Sequence, residues 1–493
     1  MASLVLLLHS NSWAQLRPDS PSIEQEPNIR PDQLEAPKEI APPTGSPQST
    51  RDIPPALTLD ELRQNPSLFV ALINHTIRMR NWPLLAELLP VYQQTPEHDA
   101  LLVLYAQGIL YRLNNQHAQA IEAYRALLSM DPELLYIRFD LAIMLYENKE
   151  YEAALDQFHK ALAGNLKPEL QTVAEQYIDK IQTQSAWQFY ASLQPERTNN
   201  INNAASVESV AVGNNAIRLT GYQPPRSAVG LRYYLNADKI HNIHGNHYLN
   251  GGVSAYGIQY QSKDSIYSDT NIRGQFGYLY QNIKHHFTSK PFIEQVWFGG
   301  KKYQFNYGIN NNYRYWLRRD IQLNTDLHYT RKNFREDVYK DYDANNYHLG
   351  LGLNYFYSPT LILLGGLDFS REHAKLEPHS YRRYGVRAAL IKEFKGGIST
   401  RLDLRYSYKK HDTKRWPDIQ SNTPAAIFER LVSAESPRRD RETRSTFTIW
   451  HRNLHFYGFT PKLSYSHHRI NSSMPLFYSR RNNNVYVNLE HQF

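Results

Sequence analysis

The 493-residue chain has no cysteine. That excludes disulfides, thiolate metal sites, cysteine nucleophiles and a lipidated N-terminal cysteine. It also has no apolar run near the ~18 residues a helix needs to cross a bilayer, so a helical membrane protein is excluded. A β-barrel is not, because its strands alternate and average to a polar composition. There is no Gly-rich phosphate loop ending in Lys-Ser/Thr, no nucleophile elbow and no metalloprotease helix. Lys+Arg 55 against Asp+Glu 47 gives a net charge of +8. The basic residues form no block, so nucleic acid is not an expected partner. What is present in excess is tyrosine, 36 residues, with aromatics at 13%.

The chain divides by composition. Residues 1–14 are read as an export signal, with the apolar Leu4–Leu8 and a Ser12-Trp13-Ala14 cleavage site but no basic start. Ten of the 27 prolines lie between Pro18 and Pro55, which makes 15–56 a linker without regular structure. Residues 57–184 carry helical apolar spacing and repeat themselves at a 34-residue period. Gly108 matches Ala142, Tyr111 matches Leu145, Ala120 matches Ala154, Tyr124 matches Phe158, and Leu127 matches Ala161. Small residues where paired helices touch, with Pro132 and Pro168 after the second helices, resemble the tetratricopeptide repeat (TPR). Flanking helices over 59–95 and 169–184 read as degenerate repeats or caps. The first helices of the pairs are expected to line a client groove with Tyr105, Ile109, Arg112, Tyr136, Phe139, Ile143 and Tyr146, with Arg112 free to meet a client carboxylate.

From Trp187 the period changes from 3.6 to 2. In 346–357, Tyr347, Leu349, Leu351, Leu353, Tyr355 and Tyr357 alternate with Asn346, His348, Gly350, Gly352 and Asn354. Similar alternation over 398–409, 321–330 and 306–315 yields fourteen candidate strands. They are placed near 187–196, 228–236, 247–260, 271–281, 291–303, 305–316, 321–331, 346–357, 361–371, 382–394, 397–409, 441–452, 457–468 and 483–493. Strands of roughly 9–12 residues suit a tilted membrane crossing, tyrosines at the ends suit interfacial girdles, and the charged, Gly-bearing face suits a wet lumen. Four even-to-odd connections are short (317–320, 358–360, 395–396, 453–456). Five odd-to-even ones are long (197–227, 332–345, 372–381, 410–440, 469–482). That asymmetry is typical of outer-membrane barrels with short periplasmic turns. Two connections, 237–246 and 282–290, are longer than it predicts. The terminal Phe493 on an alternating last strand resembles the signal read by the barrel-assembly machinery.

The expected fold is therefore multi-domain: a helical repeat domain, then a 14-stranded antiparallel transmembrane β-barrel over 185–493. The expected location is the bacterial outer membrane, with the helices in the periplasm, outer-membrane lipid around the barrel and the chain a monomer. Some residues invite other readings. His241, His244 and His247 recur every third residue and read as a solvated turn before a metal site. His285-His286 and His467-His468 make poor metal pairs, and Ser254 has the wrong glycine spacing for an elbow. Arg401, Asp403 and Arg405 read as hydrated lumen wall. No cofactor and no catalytic residue is expected.

The order of signal, Pro-rich tether, repeats and C-terminal barrel resembles the surface lipoprotein assembly modulator (Slam) family. So does the junction, where Trp187-Gln188-Phe189 precedes Thr198-Asn199-Asn200-Ile201-Asn202-Asn203-Ala204. Family members carry a similar W-x-F and then Asn-Ile-Asn-x-Ala, usually with Asp where this chain has Thr198 or Asn199. The resemblance implies a non-enzymatic outer-membrane translocator whose client is a surface lipoprotein or a related secreted haem- or iron-acquisition protein. The alternative keeps the architecture and exports exopolysaccharide, for which longer repeat arrays and larger barrels are the rule.

Overall fold

The computed structural model describes residues 59–206, 209–212, 215–218, 223–412, 437–454 and 459–492. The expected signal (1–14), the linker (15–56) and Phe493 lie outside them.

Eight helices come first: α1 (Leu59–Gln64), α2 (Pro66–Arg78), α3 (Trp82–Gln93), α4 (Ala100–Leu113), α5 (His117–Met130), α6 (Leu135–Glu147), α7 (Tyr151–Leu162) and α8 (Pro168–Ser185). The 34-residue repeat is realised as the hairpins α4–α5 and α6–α7. Its small residues Ala120, Ala142, Ala154 and Ala161 are fully buried, as are the rings of Tyr124 and Phe158 that fill the space they leave. Tyr105 lies 5.8 Å from Tyr124, and Phe139 meets Phe158 edge-on at 5.9 Å. The hairpin turns reverse tightly because Arg80, Asn115 and Lys149 each take a left-handed conformation, at φ 56°, 58° and 66°. Asn115 and Lys149 are themselves one repeat apart.

The fourteen barrel strands are β1 (Gln188–Thr198), β4 (Ala228–His244), β5 (His247–Tyr260), β6 (Asp269–Gln281), β7 (His285–Phe298), β8 (Lys301–Arg318), β9 (Ile321–Phe334), β10 (Ala344–Ser358), β11 (Leu361–Ala374), β12 (Tyr381–Glu393), β13 (Ile398–His411), β14 (Arg439–His451), β15 (Lys462–Ser472) and β16 (Arg480–Gln492). Each pairs antiparallel with its neighbours, and β1 pairs with β16 to close the barrel. A small hairpin of β2 (Ser209–Val212) and β3 (Asn215–Arg218) sits in the first connection. Closure leaves no free edge, which a strand fold in lipid requires.

The alternation is realised as expected. Leu351 (46% exposed), Leu353, Leu367, Val386, Leu404, Phe447 and Leu463 point outward, while His348, Gly352, Asn354 and Asp403 line the interior. Aromatic rings bound the leucine band. Tyr329–Tyr347 and Phe369–Tyr384 lie at 5.2 and 5.4 Å toward one end, and Tyr355–Tyr357 at 6.0 Å toward the other.

The connections also sort by end, with three differences from the sequence expectation. The two overlong turns are short, because β4 runs to His244 and β7 begins at His285. The β14–β15 connection is longer than 453–456, since β15 starts only at Lys462. At the end otherwise built of long loops, β7 and β8 are joined by Gly299-Gly300 alone. Both glycines have positive φ, 55° and 78°, as a two-residue hairpin demands.

Candidate functional site

The interior of the barrel is a cavity of about 760 Å³, walled by paired charges. Arg232 bonds Glu196 at 2.9 Å, Arg273 bonds Glu294 at 2.8 Å, Lys332 bonds Glu372 at 2.8 Å and Arg383 bonds Glu442 at 3.0 Å. Asp368 lies 3.6 Å from both Arg387 and Arg405. Arg401 grips Asp403 with two nitrogens, the closest contact being 2.7 Å. These carboxylates are held by guanidinium or ammonium groups in charge-assisted contacts. The cavity is lined chiefly by polar and charged side chains. It does not admit a folded domain, whose radius of gyration is ~13 Å for 100 residues.

The first strand closes on the last with an irregular seam. Beside β4, β1 pairs at every position from Gln188 to Thr198. Beside β16 the pairing lapses at Gln194 and Pro195, between Leu193↔Leu489 and Glu196↔Tyr486. A proline has no N–H to donate to a ladder. Side chains bridge the seam instead. Tyr190 Oη donates to Glu490 at 2.7 Å, Ser192 Oγ to Asn488 Oδ1 at 2.7 Å, and Asn484 Nδ2 to Glu196 at 2.8 Å.

Beyond Thr198 the asparagine run folds against this seam at the long-loop end. Asn199 exchanges two bonds with Asn483: its Oδ1 accepts from the Asn483 N–H (2.7 Å), and its own N–H donates to the Asn483 carbonyl (3.2 Å). Asn200, 2% exposed, donates to Asn482 Oδ1 (3.1 Å) and holds Ala204 by both its N–H and its carbonyl. Asn482 Nδ2 donates to Asn203 Oδ1 at 3.2 Å. Asn202 donates to the Pro224 carbonyl and accepts from the Arg226 N–H. Thr198, Asn200, Ile201, Asn202 and Asn203 all line the cavity. The junction motif is thus both a clasp on the seam and part of the lumen wall.

At the short-turn end the helices dock on the barrel. Tyr248 of β5, 1% exposed, donates its hydroxyl to the Lys149 carbonyl and meets the Tyr151 ring edge-on at 6.1 Å. Asn246 donates to the carbonyls of Asn148 and Gln281. Arg319 reaches Asn115 at 3.5 Å. Both repeat turns therefore face barrel turns, and the helical core continues into Tyr248 and Leu279. His117, at the start of α5, is 3% exposed, and neither ring nitrogen has a partner among the described residues. Burial, with Arg112 and the barrel-turn cations Lys284 and Arg319 nearby, pushes it down to about 4.

The seven groove residues are placed differently from the expectation. Tyr105, Ile109, Phe139 and Ile143 are core. Arg112 is buried and bonds Glu147 at 3.0 Å, so it presents no free charge. Tyr146 packs between Tyr151 and Tyr177. The physical reason is packing within the hairpins: Tyr105 lies on Tyr124 of α5 and Phe139 on Phe158 of α7, while Tyr177 of α8 stacks on Phe158 at 5.3 Å and edges Tyr146 at 4.9 Å. Only Tyr136, 38% exposed, is open.

The other singled-out residues do not converge. His244 pairs across the β4–β5 turn with His247, while His241 pairs with Leu249. His285 stacks on Tyr315 at 4.9 Å, and His286 lines the cavity. His467 bonds Asn483 at 2.7 Å, and Ser254 sits mid-strand opposite Asn236. Among the described residues no group of His, Asp and Glu could hold a metal ion.

Residues 187–493 match the family model described as surface lipoprotein assembly modifier, and 56–158 match the model of its N-terminal TPR repeats. The chain belongs to the surface lipoprotein assembly modifier family. Surface lipoprotein assembly modifier 1 of Haemophilus influenzae is 30% identical over 446 residues, 89% of this chain and 87% of the relative. The protein of the same name from Neisseria meningitidis is 28% identical over 99% of this chain and 96% of its own length. The hemophilin secretion modulator of Acinetobacter baumannii is 23% identical over 88% and 87%. Among solved structures, OmpT, an outer membrane protein of Vibrio cholerae, aligns with 62% of this chain and 97% of its own at 7% identity, with a TM-score of 0.36. Family and barrel together make this a protein of the outer membrane.

Proposed function

We propose that this chain is an outer-membrane translocator that delivers a surface lipoprotein, or a related secreted haem-acquisition protein, to the cell surface. The observation that carries the reading is the docking of a TPR domain on the short-turn end of a closed barrel with a polar, charge-paired lumen. Short turns mark the periplasmic side of such barrels, so the helices face the periplasm, where they meet the client first. Tyr136 is the contact point that remains open among the expected groove residues. Phe493 serves the barrel-assembly machinery, and the chain works as a monomer without a catalytic step. The sequence carries no nucleotide-binding motif, so drive comes from client binding inside and client folding outside.

The test is co-expression of an epitope-tagged candidate lipoprotein with this chain in a host lacking both, followed by protease treatment of intact cells. Cleavage of the client only when the chain is present is expected. A client that stays protected beside a properly inserted barrel would defeat the reading.

A further inference from the structure

We propose that the β1–β16 seam is the client's exit: it opens sideways into the membrane, and the asparagine run 199–203 is the latch that keeps it shut. The proposal rests on the translocator reading above and deepens it by naming the route.

Three independent features single out this seam. It is the shortest ladder of the barrel among the described residues, and its pairing lapses at Pro195. Side chains of Tyr190, Ser192 and Glu196 bridge to β16 on either side of the lapse, so the seam is held by two short runs of pairs and single side-chain bonds rather than by one continuous ladder. The far end is fastened by side-chain amides, Asn199 and Asn200 on β1's continuation and Asn482 and Asn483 on β16, and by the Ser206 N–H on the Ser479 carbonyl. Neutral amide bonds are weaker than the charge-assisted bonds used along the rest of the wall. The same run lines the cavity, so a chain advancing through the lumen pushes on the latch before it reaches the outside.

The chemistry of a lipoprotein favours such an exit. Its polypeptide suits the Arg-, Glu- and Asn-lined interior, but its acyl chains do not, because every methylene taken out of hydrocarbon is unfavourable. An opening wall lets the chain run in the lumen while the anchor stays in the bilayer. Bare strand edges in lipid are costly. An extended client segment pairing with the freed edges of β1 and β16 relieves that cost by strand addition.

The absence of native cysteine permits a clean test. Ser206 donates its N–H to the Ser479 carbonyl at 2.7 Å across the latch, so S206C with S479C can be joined by oxidation. The probe is an epitope-tagged lipoprotein that the unsubstituted chain displays in the protease assay. Oxidation of cells carrying the pair, with the cross-link verified on a non-reducing gel, is expected to lower new surface display at least ten-fold, and reduction to restore it. The pair Y355C with L363C, at registered positions of β10 and β11, is expected to cross-link without effect. Undiminished display through a cross-linked seam would overturn the exit. Equal loss with the β10–β11 pair would overturn it too, as an effect of general stiffening. If S206C/S479C does not insert, S192C with N488C, whose side chains already touch, serves in its place. Should the unsubstituted chain display nothing, it is the translocator reading that fails; display by the unsubstituted chain with no effect of the seam cross-link removes the exit alone.

Discussion

At Gly108 the α4–α5 pair leaves no room for a methyl group: a β-carbon there would lie 2.2 Å from Cε1 of the fully buried Tyr124. Gly108→Val should cost about 1–3 kcal/mol through overpacking, read as earlier loss of the helical signal on heating. His117 adds a pH dependence of known sign. Its folded value, about 4, lies below the ordinary 6.5, so the unfolded chain binds the proton more readily. Stability is whole above pH ~6.5 and falls as pH drops toward 4, by on the order of 2 kcal/mol. Because Lys284 and Arg319 belong to barrel turns, release of the helices from the barrel should be part of that loss. Protease sensitivity near Ser185 between pH 7 and pH 4.5 checks it, and His117→Leu should flatten the profile. On the outer wall, Leu351→Arg should lower barrel stability by about 2–4 kcal/mol near the bilayer midplane, measured by urea unfolding in lipid. Its neighbour Gly352, on the lumen face, should tolerate serine.

At the scale of elements, the period-2 pattern was enough to place nearly every strand, because lipid on one side and water on the other leave each residue only one acceptable face. Where placement slipped, the pattern had competition. The Gly299-Gly300 turn was legible by the rule that paired glycines make tight hairpins, yet the alternation on either side of it reads through as a single long segment. β4 and β7 extend past their apolar stretches into His-, Asn- and Lys-bearing turns because they pair there with neighbours and meet the helices, which no local pattern reports. The placement of the expected groove residues was hidden for a related reason. Repeat spacing identifies the faces of α4 and α6, but not that Tyr105 and Phe139 turn into their own hairpins or that Tyr177 of α8 meets Tyr146. The clasp of Asn199 and Asn200 on Asn483 and Asn482 spans more than 280 residues of sequence; only its composition was visible, as a motif without a partner. The docking contact is equally long-range and yields a prediction at this scale. Tyr248→Ala removes a buried ring and its bond to the Lys149 carbonyl, which should cost about 2–4 kcal/mol. Hydrogen exchange at residues 148–151 should speed up while the barrel strands stay protected.

For the whole molecule, the question is which part needs the other. The barrel satisfies its backbone by strand pairing around the full circle, and closure needs nothing from the helices. The helices bury their own repeat core and borrow from the barrel chiefly the patch around Tyr248 and Leu279. Dependence should therefore run one way. Residues 185–493 expressed behind an export signal should reach the outer membrane and show the heat-dependent gel shift of a closed barrel. Under the proposed function they should not bring the client to the surface, since the helices proposed to receive it are gone. Failure of the shortened chain to insert, beside normal insertion of the full chain, would mean that the docked turns at His244–His247 and Asn282–Lys284 need the helices to form. Insertion with full client display would place reception in the barrel itself and leave the repeats without a part in transport.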